Sequence, residues 1–451
     1  MKGAARSTVD PASSPALRSF QAQWLARKTA RTRDPLASLR ERAMQRVLRL
    51  GLPTLRDDTW RYTNLRHLNS QTFVDAPSTT PDEVQPTASL SLLSADERAA
   101  TVLVVNGHPV LPTHMDAWFN GIEVSGLQEL ARLNPELISA HIEPLSDTDQ
   151  ARWGLINAAL FEDGLYLRIT AKVTTPLVIL HVLTADGADN VAFPRVIIDV
   201  APGCSATIIE HYVEQGTQPP LCNSATHIAA GRDSEIEHYR VFATSVGAEH
   251  IDSLNIRQDG NSRCKQFTIA LGGALIRTSL EANLSQPGAA LECFSLLVGH
   301  EARHVDCVNI VTHGAPNTRS EQTARAIASG TSRVVFNSKV IVNAGAVQAQ
   351  SQQSCRGLLL SATAEIDSRP QLEIHADEVK CAHGATVGRL DPDMLFYLLS
   401  RGLDRETAQS LLVYAFLADV LTDMSVSSAR SAIESALIAQ LPDSHILNKF
   451  R

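Results

Sequence analysis

Turn-forming residue pairs recur at a nearly constant interval in the middle of this 451-residue chain. The pairs are Pro202-Gly203, Ala230-Gly231, Asp259-Gly260 and Pro287-Gly288, separated by 28, 29 and 28 residues. Each pair precedes a run in which apolar and polar residues alternate, as they do along a β-strand. A second glycine series falls roughly midway between the pairs, at Gly216, Gly247, Gly273 and Gly299. This period in strand-rich sequence is typical of a β-solenoid, in which each coil packs on its neighbours.

The same spacing also fits an antiparallel sandwich with evenly spaced turns, and the periodicity alone does not separate the two folds. From about residue 165 the short strands continue for over 200 residues. No helical pattern in this region is long enough for a crossover between parallel strands, so a doubly wound α/β fold is not expected.

Helical patterns flank the strand-rich region on both sides. We expect helices to begin at Ser14-Pro15, Asp34-Pro35, Asp391-Pro392, Asp404 and about Ser428, with short strands over 101–106 and 121–124. The chain therefore divides into a mainly helical part with a linker at 76–90 (residues 1–164), a strand-rich core (165–388) and a helical end (389–451). The C-terminal helices suit docking of a partner, or they cap the open end of the β core.

Composition argues against several classes of protein. The net charge of −8 is unlike that of a general nucleic-acid binder. Residues 1–70 hold 14 Lys/Arg and 5 Asp/Glu, a balance of +9 that suits solvated helix faces or a partner-docking surface. No apolar run reaches transmembrane length and no secretory signal is present, although the Arg-rich start also resembles an organelle transit peptide. Seven scattered cysteines without a CxxC predict a reducing, cytoplasmic location.

The motifs of common enzymes are missing from the sequence. It contains no GxxxxGK[ST] phosphate loop, no GxGxxG after a strand, no GxSxG elbow and no HExxH. We therefore expect no nucleotide site and no hydrolysis of nucleotides by the chain itself.

Thiol, imidazole and carboxylate groups crowd together between residues 371 and 391. His375, Asp377, Cys381 and His383 would share one face of an uninterrupted strand. The opposite face changes from apolar to charged, which predicts a bend near residue 377 and leaves only Cys381 and His383 as neighbours. A thiolate and an imidazole can bind iron or zinc, but two ligands do not fill a coordination sphere. Another segment or another chain must supply the remaining ligands.

The other polar groups of the repeats are interpreted as structural. We expect the pairs Glu210-His211 and Glu237-His238 on a solvated strand face. The cysteines of the repeats suit small buried positions, and His300, His304 and His313 suit surface or hydrogen-bonded positions near a turn.

Three blocks of sequence resemble the motifs of a known family. They are Leu52-Pro53-Thr54 with Asp57-Asp58-Thr59-Trp60-Arg61-Tyr62-Thr63-Asn64-Leu65, then His313-Gly314-Ala315-Pro316-Asn317-Thr318-Arg319-Ser320-Glu321-Gln322, and finally Arg369-Pro370-Gln371-Leu372-Glu373-Ile374 continuing through Cys381-Ala382-His383-Gly384 to Arg401-Gly402. The chain resembles the SufB/SufD family of iron–sulfur cluster assembly proteins, and the long last block resembles its SufD branch.

The resemblance implies a fold and a set of partners. The fold is a mainly β, right-handed parallel β-helix between N- and C-terminal helical domains. The partners are SufB, as a heterodimer, and the ATPase SufC, bound through C-terminal helices with Leu395, Tyr397, Leu398, Arg401 and Phe416 as candidate contacts. A homodimer in the absence of SufB stays open.

The resemblance also implies that the chain is not an enzyme by itself, and it implies a chemical role. The histidine that matches His383 is implicated as a ligand of a transient iron–sulfur cluster at the SufB–SufD interface, with Cys381 as a second candidate. The alternative is a purely structural β-helix scaffold without a metal ligand. A β-helical polysaccharide lyase or hydrolase is disfavoured, because no acidic or aromatic groove residues repeat along the turns.

Overall fold

The computed structural model describes residues 14–30, 34–77, 84, 100–111, 120–143, 148–187 and 189–439. Its centre is a β-solenoid of about seven turns flanked by helices. The expected β-solenoid is thus confirmed, and the alternative antiparallel sandwich is wrong. Most of the linker expected at 76–90 and the end of the last helix near Leu441 lie outside the described residues. No helix within the described ranges is both long and apolar enough to cross a membrane.

The described strands are, in chain order, β1 (Val74–Asp75), β2 (Thr101–Val105), β3 (His108–Val110), β4 (Ile122–Gly126), β5 (Leu165–Ile169), β6 (Leu177–Asp186), β7 (Asn190–Ala192), β8 (Arg195–Val200), β9 (Ser205–Gln218), β10 (Leu221–Ala230), β11 (Glu235–Phe242), β12 (Glu249–Gln258), β13 (Arg263–Ala270), β14 (Leu275–Leu284), β15 (Ala290–Gly299), β16 (His304–His313), β17 (Arg319–Ala328), β18 (Arg333–Val342), β19 (Gln350–Leu359), β20 (Glu365–Ile374) and β21 (Lys380–Gly388).

The described helices are α1 (Pro15–Ala30), α2 (Ala37–Leu50), α3 (Arg66–Ser70), α4 (Leu127–Leu133), α5 (Pro135–Ile142), α6 (Arg152–Leu160), α7 (Pro392–Ser400), α8 (Arg405–Leu421) and α9 (Ser427–Ala439). The starts expected near residues 15, 35, 392, 404 and 428 agree with these bounds. Asp404 accepts a hydrogen bond from the Thr407 backbone N–H, the contact that makes an aspartate a good helix start.

Two sheets form the solenoid, and from β8 onwards successive long strands alternate between them. The first sheet has the order β20-β18-β16-β14-β12-β10-β8-β5-β4, with the short β1 and β7 beside it. The second has the order β21-β19-β17-β15-β13-β11-β9-β6-β2-β3. All pairs from β5 onwards are parallel, whereas β4 pairs antiparallel with β5 and β3 with β2. Strands from before residue 165 therefore extend both sheets.

One corner of each coil carries a residue with left-handed backbone conformation. These residues are Gly203, Asp233, Asn261, Gly288, Asn317, Gln348 and Glu378, with φ between 54° and 78°. Several of them join one coil to the next, because their N–H groups donate to a corner carbonyl in the following coil. The N–H of Asn261, for example, donates to the Pro287 carbonyl at 3.0 Å. Gly, Asn and Asp tolerate this conformation best, which explains the regular turn signal of the sequence.

The interior between the sheets is polar along part of its length. Glu210 is fully buried there, and its carboxylate lies 3.1 Å from His181 Nε2 and 2.9 Å from His238 Nε2. Burial acts to raise the pKa of Glu210, but hydrogen bonds from the two imidazoles outweigh it and hold that pKa below its usual range. The expected solvated face is thus wrong for Glu210 and His238, which point into the solenoid, whereas His211 and Glu237 are half-buried on the opposite face of their strands.

The first of the three sequence blocks fastens the N-terminal part to the outer face of the first sheet. The ring of Trp60 is buried and lies 4.1 Å from the Arg277 guanidinium of β14. Arg277 also donates to the carbonyl of Thr59 at 2.9 Å and pairs with Asp306. Thr63 donates a hydrogen bond to the same Asp306 carboxylate. This block therefore attaches the N-terminal part of the chain to the outer face of the first sheet.

The C-terminal helices α8 and α9 cover the outer face of the second sheet. Their buried side chains meet the stacked rings of Tyr239, Phe267 and Phe294 on β11, β13 and β15. The side chains that α8 buries are Thr407, Ala408, Ser410, Val413, Leu417, Val420 and Leu421. Neither helix closes the open end of the solenoid.

His313 provides a test of the buried interior by pH. Its ring nitrogens lie 2.8 Å from the hydroxyls of Thr318 and Ser320, and burial lowers its pKa to about 4. An unfolded chain takes up this proton near pH 6.5, so the free energy of unfolding should fall as the pH drops from about 6.5 to about 4. In His313→Gln the decline should be shallower by up to about 1.4 kcal/mol per pH unit. Denaturant titrations at several pH values measure this, and an unchanged slope would contradict it.

Candidate functional site

The last coil leaves one end of both sheets unpaired. Among the described residues, β20 and β21 each pair with one neighbour only, β18 and β19 respectively. Residues of both strands are half-buried or exposed, whereas the preceding strands are largely buried. An exposed strand edge of nine or ten residues carries a row of free backbone donors and acceptors, which can pair with another chain.

His383 is the last member of a row of side chains that runs through the interior. Register partners on successive strands of the second sheet are Ile208, His238, Gln266, Cys293, Gln322, Gln353 and His383. The first six side chains are buried, and His383 is exposed. Its imidazole thus reaches solvent because the stack of coils ends with β21.

Cys381 lies two residues before His383 on the same strand and belongs to the neighbouring interior row. Its register partner is Ser351, and its half-buried side chain packs against the buried apolar cluster between the sheets, as those of Leu372, Ala376 and Val379 also do. Burial raises the pKa of its thiol, so the group is protonated at neutral pH in the isolated chain. Cys381 and His383, which the sequence predicted to be neighbours, therefore lie on one strand and on the same face of it.

The other two candidates of the same segment lie outside β21. β20 ends at Ile374 and β21 begins at Lys380, so the expected bend near residue 377 is confirmed. His375 is exposed, and its Nε2 lies 3.0 Å from the Glu373 carboxylate. Within the described part of the chain, no three His, Cys, Asp or Glu side chains are grouped closely enough to hold a metal ion. Cys381 and His383 thus offer at most two ligands.

A short hydrogen-bonded chain leads from the interior towards His383. Gln353 Nε2 donates to Ser338 Oγ at 2.6 Å, and Ser338 Oγ donates to Gln322 Oε1 at 2.9 Å. The Oε1 atom of Gln353 is buried and finds no hydrogen-bond partner among the described residues. This acceptor belongs to the residue paired in register with His383. A ring N–H of His383 is the kind of donor that it requires.

Helix α7 follows the last strand and buries none of its residues. Three large apolar side chains on it are exposed, Met394 at 59%, Phe396 at 71% and Tyr397 at 56%. The Arg401 guanidinium lies 5.1 Å from the ring of Tyr397. Exposed apolar side chains grouped on one short helix are typical of an interaction surface.

The candidate partner contacts differ in position. Leu395 and Leu398 are half-buried on α7. Phe416 on α8 is half-buried and packs with the cluster on the second sheet, near Arg325. Met394 and Phe396, the two most exposed apolar side chains of α7, are not among the contacts expected from the sequence, because exposure depends on packing that the sequence of one helix does not show.

Two family models together match most of the chain. Residues 20–179 match the SufBD protein N-terminal region, and residues 181–416 match the SufBD core domain of the SUF system for FeS cluster assembly. The chain belongs to the SufBD family.

Relatives from distant organisms align with nearly all of this SufBD chain. The iron-sulfur cluster assembly protein SufD of Escherichia coli is 28% identical over 437 residues, which cover 96% of this chain and 98% of the relative. SufD of Bacillus subtilis is 23% identical, covering 89% and 93%. The chloroplastic protein ABCI7 of Arabidopsis thaliana is 27% identical, covering 86% and 82%. The chain is thus a SufD-type member with a general role in iron–sulfur cluster assembly.

Cysteine exposure gives a direct test of the site geometry. All seven cysteines are described, and Cys381 is the one that is not buried. A maleimide should therefore label one thiol of the native chain, at Cys381, and all seven after denaturation. Intact-mass measurement counts the labels, and Cys381→Ser should abolish native labelling. Labelling of Cys355 or Cys293 before Cys381 would contradict the described interior.

Proposed function

We propose that this SufBD-family chain is a non-enzymatic subunit of an iron–sulfur cluster assembly scaffold, and that it pairs with SufB through the open end of its solenoid. The observation that supports this most directly is the position of His383, the exposed last member of an otherwise buried row, at two unpaired sheet edges. In this proposal the nascent cluster is the cargo and forms where the two chains meet.

The unpaired edges of β20 and β21 give the second chain its attachment. Strand addition at both edges would supply partners for free backbone groups and continue both sheets. Ile374 and Val387 are exposed at this end, at 42% and 44%, and their burial would add apolar contact. Docking would also remove His383 and Cys381 from water.

His383 and Cys381 are the proposed ligands from this chain. A buried imidazole and thiolate suit iron in the company of further ligands from SufB. The Cys381 proton must leave when iron binds, because only the thiolate is a ligand and burial keeps the free thiol protonated. Gln353 Oε1 would accept the remaining ring N–H of His383 and so orient the imidazole.

Helix α7 is the proposed docking surface for the ATPase SufC, together with neighbouring residues of α8. Three residues, 389–391, separate β21 from α7. A pull on this helix would therefore act on the last coil and expose or cover the metal ligands. The sequence has no phosphate-loop motif of its own, so the energy for this step would come from the partner.

A cytoplasmic location accompanies the proposal, since all seven cysteines are free thiols. The edges that pair with SufB could also pair two copies of this chain when SufB is absent. A structural scaffold without a ligand is the second candidate, and its prediction differs only in the role of His383.

Substitution of His383 separates the two candidates. His383→Ala should leave the stability of the chain nearly unchanged, within about 0.5 kcal/mol, because the side chain is exposed. Iron content and cluster absorbance of the complex co-purified with SufB and SufC should be lost. His375→Ala is the matched control, since it removes another exposed imidazole eight residues away, outside β21.

A normal iron content in the His383→Ala complex would leave the structural scaffold as the better account. Loss of cluster in both variants would mean that the last coil as a whole, and not this imidazole, is required.

The docking role of α7 has its own test. Phe396→Asp places a charge at the most exposed apolar position of the helix and should abolish co-purification of SufC while SufB remains bound. Val246→Asp is the matched control, because Val246 is 60% exposed in a turn between β11 and β12. Retention of SufC by Phe396→Asp would exclude this surface, provided that thermal unfolding of the variant is normal.

A further inference from the structure

A groove of about 660 Å³ lies between the outer face of the first sheet and the N-terminal part of the chain. Helix α6 and residues 148–151 form part of one wall, and the first-sheet strands β8, β10, β12, β14, β16, β18 and β20 form the floor. Ala225, Ser253 and Ser279 are register partners on three successive strands, so small side chains leave space beneath the helix. The volume is that of sites for small organic ligands. The proposed scaffold function makes no use of it.

Arg195 of β8 lines one end of the groove and is 1% exposed. Its Nε donates to Asn157 Oδ1 at 2.9 Å, and its Nη1 lies 2.9 Å from His227 Nε2. The guanidinium also stands 4.8 Å from the ring of Phe161. Each of these partners is neutral. Asn157 and Phe161 have uncharged side chains, and burial together with the nearby Arg195 holds the pKa of His227 well below its usual value.

The other fully buried arginines of the described chain are paired differently. Arg240 has the carboxylate of Asp252 as its partner, and Arg277 has that of Asp306. No carboxylate of the described residues forms an ion pair with Arg195. Burial, and then repulsion by Arg40, lowers the pKa of Arg195 to about 9, so it remains a cation at neutral pH. A buried cation without an anion is costly, and a bound anion would relieve that cost.

The charges around Arg195 leave this end of the groove positive. Arg257 of β12 is exposed at the rim, and it also forms no ion pair with a described carboxylate. Among the acidic residues of the groove, Asp58 pairs with Arg369 at 2.8 Å, Glu143 pairs with Arg42, and Asp149 accepts a hydrogen bond from the Thr59 backbone N–H at 3.0 Å. Glu281 hydrogen-bonds to Thr148, and burial raises its pKa.

We propose that the groove binds a small organic anion whose phosphate or carboxylate group is held by Arg195, with Arg257 at the rim. The body of the ligand would lie over the floor of Ser253 and Ser279, against apolar Leu155 and Ile310. Arginine is suited to either head group, because its fork of donors matches phosphate and carboxylate oxygens.

Calorimetric titration of the full chain with pyrophosphate and with citrate, at matched ionic strength, tests this proposal. At least one of the two anions should bind, and the stronger one identifies the head group. Arg195→Gln should weaken that binding at least about tenfold, because it removes charge-assisted hydrogen bonds. Circular dichroism and thermal unfolding establish that the variant is folded.

Two further variants keep the test decisive if Arg195→Gln does not fold. Arg257→Gln changes an exposed side chain and should weaken binding severalfold. Arg263→Gln is the control, because Arg263 is an exposed arginine on β13 of the second sheet, outside the groove, and this variant should bind as the wild type does. The proposal is overturned if neither anion binds, or if Arg257→Gln and every folded Arg195 variant bind with unchanged affinity. The titration needs no partner protein, so its result is independent of the scaffold function.

Discussion

Parallel pairing in constant register is the constraint on which the rest of this structure depends. Each coil places its residues directly over those of the previous coil, so one position of the repeat becomes a continuous row along the axis. Polar side chains in a row that points inwards need buried hydrogen-bond partners in every coil. The corner that requires left-handed backbone needs, in every coil, a residue that can adopt this conformation, as seen from Gly203 to Glu378. Fold and site both follow from this stacking.

The end of the stack differs from its middle for the same reason. A residue inside the solenoid has a neighbour on both sides, whereas a residue of β21 has one. Gln353 and His383 occupy the same row, yet one is buried and the other exposed. The open end thus presents interior-type side chains to solvent next to unpaired backbone. A second chain with a similar solenoid could continue these rows and both sheets. The open end therefore differs from a binding patch on the face of a sheet, where no backbone groups are left unpaired.

The sequence predicted those features that are set by local chemistry. Turn residues, helix starts such as Asp404, the bend before β21 and the buried cysteines all depend on near neighbours in the chain, and they were found. Glu210 was misjudged because its partners, His181 and His238, lie about 28 residues away in adjacent coils. The alternation of a strand shows that two faces differ, but it does not show which one is inside when the interior is polar.

The groove at Arg195 was beyond sequence reasoning for a related reason. Its walls come from α6 and from strands far apart in the chain. Its volume depends on small residues that only the register of the sheet brings into line. The buried charges of the interior add a constraint of their own. Removing one partner of a buried polar contact costs more than the contact contributes, so the contacts of Glu210 with His181 and His238 in the adjacent coils penalise any shift of one coil against the next. An apolar interior would tolerate such a slip more easily. The polar rows therefore fix the register that places His383 at the end of the stack, although burying polar groups lowers the stability of the chain.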